Sequence, residues 1–418
     1  MNVSISDKKI KSYLFGLLVI SCTFGDYFKL AGRAYSQYIA IFLALFSIAD
    51  FVNVYLKYKK LEWEKKVILF LILAWMFFAV IQVFWVGDIA SWKSGMRTLV
   101  INLFICFEMC MILRENRDYL LVMRSVEISL WMSIAVGAYE IITKHHFDRT
   151  PEQAAFYNEI RGFLGNPNDF ATWIILCLLG VTLYYVKQKR LYICLAEWIV
   201  ATFIIYHTGS RAGLLSVVAA VFFLVIGYAF KLMGDAQKDH RKKRKAFHIL
   251  GIISVIVLGG LWLISGDVVA VINSVSSASS SDVFRLRIIR DSLEVALKYV
   301  LIGAGANQTS FYVGINPHNF LLELLADFGI VVVMLIVYIL WKIFIRIFEV
   351  EKITFYQIVC YAFAPTFLLV SISSSSMARL RMTWVVLLLY YFAPAEQMQN
   401  CKSKIKVVFR DNVWYGKA

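Results

Sequence analysis

Continuous apolar runs, each about 17–25 residues long, recur along the chain, and a run of that length satisfies its backbone in lipid only as a helix. They constrain the fold more than any other feature of the sequence. Hydrophobic residues make up 60% of the chain and charged residues only 17%. The apolar residues are not confined to one face of an amphipathic pattern, as the helices of a soluble protein would require. Alternating ten-residue segments, the mark of a transmembrane barrel, are absent. The reading is therefore all-α: a polytopic helical membrane protein, a single integral membrane domain over residues 1–418. About twelve spans are predicted, at 12–28, 34–56, 67–86, 96–113, 120–142, 167–186, 191–207, 212–231, 247–265, 319–341, 353–372 and 381–394. The first run follows Lys8, Lys9 and Lys11 and has no small-residue cleavage site, so it reads as a retained span. Six of the seven cysteines lie inside apolar runs and form no metal-ligand spacing, so they read as small buried residues.

An even number of spans puts both termini on one side, and charge says which side. With the amino terminus cytoplasmic, the inner pieces hold most of the 43 basic residues, including the run at 238–245. The positive-inside rule then fixes the register. The stretch DHRKKRKAF resembles nucleic-acid-binding charge only in isolation; in a short loop between spans it is a topology determinant beside anionic lipid, and no nucleic-acid partner is needed to explain the net charge of +15.

In this register three outward places carry polar residues that a loop does not need for solubility. The first is 144–172, where Arg161 and the Gly162, Gly165, Asn166, Pro167, Asn168 cluster precede the sixth span. Turn formation explains the cluster, whereas Arg161 stands where an anionic headgroup can reach it. The second is the short turn with His207, Ser210 and Arg211. Arg211 opens a helix, where free backbone N–H groups favour an anion, so a phosphate between guanidinium and helix end fits the position better than a bare cation. The third is the outward region 266–318 with the first turns after it. Arg285, Arg287 and Arg290 offer planar forks to phosphate oxygens, although Asp291 lies four residues after Arg287 and predicts some internal ion pairing. Pro317 biases Asn316 away from helix, so His318 and Asn319 fall at the outer tip of the tenth span, with Glu323 about one turn deeper. A histidine there can accept a proton from a sugar hydroxyl.

These residues together resemble the bacterial O-antigen ligase and O-antigen polymerase superfamily, Wzy/WaaL-like. The resemblance rests on GSRAG at 209–213, on Asp282-Val283-Phe284-Arg285 leading to Gly303-Ala304-Gly305, and on His318-Asn319 followed by Gly329. Arg161-Gly162-Phe163 and Asn166-Pro167-Asn168 fit as well, and the pattern covers roughly residues 155–345. The chain departs from the family's ligase-type tryptophan after the first arginine, having Ile289 and Arg290 there. The resemblance implies a GT-C-like glycosyltransferase of the bacterial inner membrane. It further implies Arg211 and Arg285 as catalytic diphosphate contacts and His318 as catalytic base; the departure at 289–290 leaves the diphosphate role divided among Arg285, Arg287 and Arg290, and with Arg287 and Arg290 the residues Arg161, Asn319 and Glu323 are the substrate-binding candidates. The implied partners are an undecaprenyl-diphosphate-linked glycan donor, a lipid-linked glycan or lipid A-core acceptor, membrane lipids and a chain-length regulator.

A sugar on a lipid diphosphate already has a good leaving group, so the protein must neutralise the charge that grows as the glycosidic bond breaks and admit an acceptor hydroxyl from the opposite face. Arginines suffice for that, and the outward acids Asp267, Asp282 and Asp291 are scattered, so no cofactor or metal is expected. Polymerisation of lipid-linked repeat units is preferred to ligation onto lipid A-core because the 266–318 loop is modest for docking a bulky core. A flippase or transporter would share the spans and is kept in view by Glu108, Glu127, Glu140 and Glu197, but it calls for an internal two-half repeat that the sequence lacks. A non-enzymatic scaffold would need none of the outward arginines.

Overall fold

The computed structural model describes residues 5–24, 27, 29–30, 33–52, 62–113, 116–147, 159–235, 280–317, 319–349, 353–371 and 380–393. The fold is all-helical, apart from a two-residue antiparallel ladder that pairs Lys29 with Ala34 and Leu30 with Arg33. The helices, in chain order, are α1 (Ile5–Ser21), α2 (Tyr35–Val52), α3 (Trp63–Ile81), α4 (Ile89–Ile112), α5 (Asn116–Thr143), α6 (Pro167–Gln188) and α7 (Leu191–His207). They continue with α8 (Arg211–Asp235), α9 (Ser280–Lys298), α10 (Gln308–Val313), α11 (Phe320–Phe328), α12 (Ile330–Phe344), α13 (Phe355–Ser371) and α14 (Arg381–Phe392). Six helical segments among the described residues are long and apolar enough to cross a membrane: Trp63–Phe84, Ile89–Ile112, Arg117–Thr143, Pro167–Gln188, Arg211–Met233 and Ile330–Ile347. Five shorter apolar helices occupy the predicted first, second, seventh, eleventh and twelfth spans. The ninth, 247–265, lies outside the described residues.

α6 is the central helix, with 83% of its membrane-length window buried. Its start is written in the sequence: Asn166 accepts N–H bonds from Asn168 (2.9 Å) and Asp169 (3.4 Å), and Pro167 takes the first helical position, where no donor is missed. The turn-forming cluster is thus a helix cap. Around α6 pack α5, α7, α8, α13 and α14. Polar groups in this interior find partners, as lipid requires: Tyr390 on α14 donates to the Leu179 carbonyl of α6 (2.7 Å) while its ring stacks on Phe363 of α13, centroids 3.9 Å apart. Arg346 donates to the Tyr390 carbonyl (2.6 Å) and to that of Tyr391, near the end of α14, where the helix dipole favours a cation. The outside of the bundle is apolar in turn. Leu195, Ile199 and Phe203 on α7, and Val331, Met334, Tyr338 and Trp341 on α12, recur at three- and four-residue spacing and are exposed, as lipid-facing stripes should be. The six cysteines among the described residues are free and buried.

The predicted span 319–341 is corrected. Its two halves are separate helices, α11 of nine residues and α12, broken at Gly329 with φ 80° and ψ −179°, a backbone conformation open to glycine and strained for other residues. A Cβ there would stand 2.5 Å from the Leu301 carbonyl oxygen, so the break also allows the chain at 300–305 to come alongside. The crossing segment is Ile330–Ile347, and α11 belongs to what lies above it.

Candidate functional site

The segment from 280 to 317 contributes two helices and a tight loop. α9 is amphipathic: Ile288, Ser292 and Ala296 are buried on the face that packs against α11, while Leu286, Leu293 and Leu297 form an exposed apolar stripe. That is the pattern of a helix lying at a membrane interface. The stripe continues through exposed Leu301 to Val331 on α12, and the Ile330 amide donates to the Val300 carbonyl (2.8 Å), holding the end of the α9 segment at the lipid-facing span.

After α9 the chain folds back along the α11–α12 break. The Ala304 amide donates to the Ala326 carbonyl (2.7 Å) and the Gly305 amide to that of Asp327 (2.9 Å). Gly303 permits this approach, because a Cβ at that position would meet the Asp327 carbonyl oxygen at 2.3 Å. Asp327 locks the loop through its carboxylate. Oδ1 accepts from the Thr309 amide (2.9 Å) and hydroxyl (2.6 Å), and Oδ2 from the Asn307 amide (2.8 Å). The α3–α4 turn braces the same loop: Gln82 donates to the carbonyls of Ile302 (2.8 Å) and Asp327 (2.9 Å), Trp85 to that of Gly303 (2.9 Å), and Gln308 exchanges two bonds with the Asp88 backbone. Asp88 also caps α4 by accepting from the Ser91 amide (2.6 Å), and that bond draws its carboxyl below the ordinary range. None of Gln82, Trp85, Asp88 and Asp327 stands out in the sequence. The available signal for Asp327 is an acid in an apolar run two residues before a glycine.

The site residues predicted from sequence fall into two groups. The segments that carry Arg161 and Arg211 are joined: the Ile160 amide donates to the His207 carbonyl (3.2 Å) and ties the 159–165 loop to the α7–α8 turn. Glu140 fixes that loop from below, accepting from the amides of Arg161 (2.9 Å) and Gly162 (3.0 Å), and the Arg161 guanidinium donates to the Gly165 carbonyl (3.2 Å). Arg211 is exposed at the first position of α8, as expected, and Ser210 caps the helix by accepting from the Gly213 amide (3.1 Å). The second group lies on α9 and α11. Arg287 and Arg290 are exposed and share Asp291, at 3.6 and 2.9 Å, so the ion pairing expected from their spacing is present. The hydrogen bond from Asp291 raises the Arg290 pKa. Arg285 lies within α9, and its side chain is outside the described residues. Asn319 caps α11, accepting from the Leu322 amide (3.1 Å), and Glu323 is buried one turn further along. His318 lies outside the described residues.

The membrane carboxylates have local partners. Glu127 is held by Arg124 and Tyr185, and Glu197 accepts from Trp131 (2.7 Å) and Tyr185 (3.2 Å).

Comparison with known proteins converges on the same stretch. Residues 198–337, from within α7 into α12, match the O-antigen ligase family. The chain is also similar to the teichuronic acid biosynthesis protein TuaE of Bacillus subtilis (strain 168), 22% identical over 358 residues, which are 78% of this chain and 71% of that protein. Both similarities support an O-antigen ligase/polymerase-like family. The matched segment contains Arg211, Arg285, Asn319, Glu323 and the whole α9–α11 cap, and Arg161 joins it in space through the Ile160–His207 bond.

Proposed function

We propose that this protein polymerises lipid-linked oligosaccharide repeat units into a cell-surface polysaccharide, by inverting, metal-independent glycosyl transfer from an undecaprenyl-diphosphate donor in a GT-C-like scaffold. The observation that carries this reading is the Ile160–His207 bond that ties the Arg161 loop to the α7–α8 turn, after which Arg211 is exposed at the Ser210-capped start of α8. Two guanidinium groups and a helix N-terminus there suit a diphosphate, whose charge grows as the glycosidic bond breaks. Arg285 of α9 supplies the third cation, and His318 takes the proton of the attacking hydroxyl. The apolar stripe of α9 supports a donor whose lipid tail stays in the bilayer. The family and a relative named for teichuronic acid biosynthesis support polysaccharide assembly as the role. A flippase is disfavoured because Glu127, Glu140 and Glu197 serve local hydrogen bonds.

The test of the reaction is single-turnover transfer from a one-repeat lipid-diphosphate donor, offered a lipid-linked glycan or lipid A-core as acceptor. His318→Gln should retain donor binding and lose at least about 100-fold in rate, within the range general-base catalysis supplies. Near-wild-type turnover of that variant would reject His318 as base, and transfer onto lipid A-core alone would make the protein a ligase.

The orientation proposed for the bacterial inner membrane, both termini cytoplasmic, is checked separately. In a cysteine-free background, single cysteines at Asn273 and Asp282 should react with an impermeant maleimide on intact cells or spheroplasts, and one at His240 only after permeabilisation. The reverse pattern would remove the outward chemistry altogether.

A further inference from the structure

The backbone at Arg161 is held by an acid that lies wholly inside the protein. Glu140 stands in the last turn of α5, 0% exposed, and commits both carboxyl oxygens to main chain. Oε2 accepts from the Arg161 and Gly162 amides (2.9 and 3.0 Å), and Oε1 from the Phe147 amide (3.4 Å). His146, buried as well, places Nδ1 3.8 Å from Oε1 and without a hydrogen-bond partner among the described residues.

Further constraints fall on the same few residues. The Ile160 amide is tied to the His207 carbonyl (3.2 Å), and Gly162 and Gly165 take φ of 56° and 70°, in the left-handed region that favours glycine. A Cβ at Gly162 would meet the Phe170 ring at 2.5 Å, so the loop is pressed against α6. A surface turn needs none of this. Asn, Asp or Ser of the turn itself supplies an acceptor there, whereas burying an acid is costly unless its oxygens are fully used. Backbone determined from so many sides pre-organises a group whose work depends on its direction. The group that leaves this backbone is the Arg161 side chain, and its guanidinium donates to the Gly165 carbonyl (3.2 Å) within the same loop, so its place follows from the loop's.

We infer that Glu140 is a positioning residue for glycosyl transfer: by fixing the amides of residues 161 and 162 it sets where the Arg161 guanidinium meets the diphosphate oxygens. The inference rests on the proposed reaction and on Arg161 as a diphosphate contact. It requires an accepting oxygen at one place more than it requires a charge, and two conservative variants separate these. Glu140→Gln keeps the length and one oxygen for both amides, and its own amide can donate to His146 Nδ1. Glu140→Asp keeps the acid but withdraws it by one methylene from the 161–162 amides.

The full chain in lipid nanodiscs is assayed by single-turnover transfer from a one-repeat lipid-diphosphate donor. Glu140→Gln should hold at least about a third of the wild-type rate and Glu140→Asp should lose about tenfold or more, with most of the loss in the saturated rate and not in donor half-saturation, because a misplaced group is felt at the transition state. In an Arg161→Ala background Glu140→Asp should lower the rate by no more than about twofold further, since residues that act as one unit are not additive, whereas a merely structural role multiplies the two losses. Wild-type rate in Glu140→Asp, wild-type rate in Arg161→Ala, or multiplied losses in the double variant overturns the assignment. If the wild-type chain transfers nothing, the proposed reaction fails, and positioning is then read from titration of the same variants with inorganic pyrophosphate. A Kd raised about threefold or more in Glu140→Asp but not in Glu140→Gln, as the loss of one charge-assisted contact would give, upholds it. Equal Kd values in the three proteins, or no binding by any of them, overturn it.

Discussion

Arg211→Ala and Arg285→Ala are each expected to lower single-turnover transfer from a lipid-diphosphate donor by at least about 100-fold, equivalent to about 2.7 kcal/mol of transition-state stabilisation. The size follows from what a guanidinium does at a leaving diphosphate: two parallel N–H bonds strengthen as negative charge collects on the departing oxygens, in a site partly withdrawn from water. Folding should be little affected by the first change, because Arg211 is exposed and the start of α8 is held by Ser210. Arg287→Ala provides the contrast. That side chain is 73% exposed and paired with Asp291, so its loss should change turnover by no more than about threefold. Transfer that survives at near-wild-type rate in Arg211→Ala, with the thermal midpoint also unchanged, would dismiss the clamp.

The second large effect concerns stability. Asp327→Ala strands three donors, the amides of Asn307 and Thr309 and the Thr309 hydroxyl, in a loop that is otherwise buried. At roughly 1–3 kcal/mol for each orphaned group, and with incomplete additivity, the cap should lose about 3 kcal/mol or more. Asp327→Asn keeps one accepting oxygen and should fall between the two. Limited proteolysis between residues 299 and 319 in nanodiscs is the direct readout: the alanine variant should be cut at least tenfold faster than wild type. Equal cutting rates would mean that the loop is held by Gln82 and Trp85 without the carboxylate.

The spans were legible because an apolar run in lipid has one way to satisfy its backbone, and caps such as Asn166-Pro167 and Ser210 mark their ends in the chemistry of single residues. The break at Gly329 was not. Apolar residues continue on both sides of it, and a glycine inside a helical pattern costs only about 1 kcal/mol, so periodicity runs through the break unaltered. What decides it is the return of residues 300–305, a non-local pairing that no window of sequence contains. The same holds within the site. Spacing was enough to foresee that Arg287 and Asp291 would pair, four residues apart on one helix. The cradle that Glu140 makes for Arg161 joins residues more than five turns of helix apart in sequence, and the contact between the Trp75 and Trp384 rings, centroids 5.6 Å apart, joins distant parts of the chain.

The interruption at Gly329 also decides how movement is shared. α11 is covalently continuous with α12, yet it is stitched to the returning chain by the Ala304–Ala326 and Gly305–Asp327 bonds and packed against α9. Mechanically it is therefore the floor of the cap and not the top of a span. The Val300–Ile330 bond ties the same returning chain to the first residue of α12, so a load on α9 would reach α11 and the membrane-length helix together at the Gly329 break.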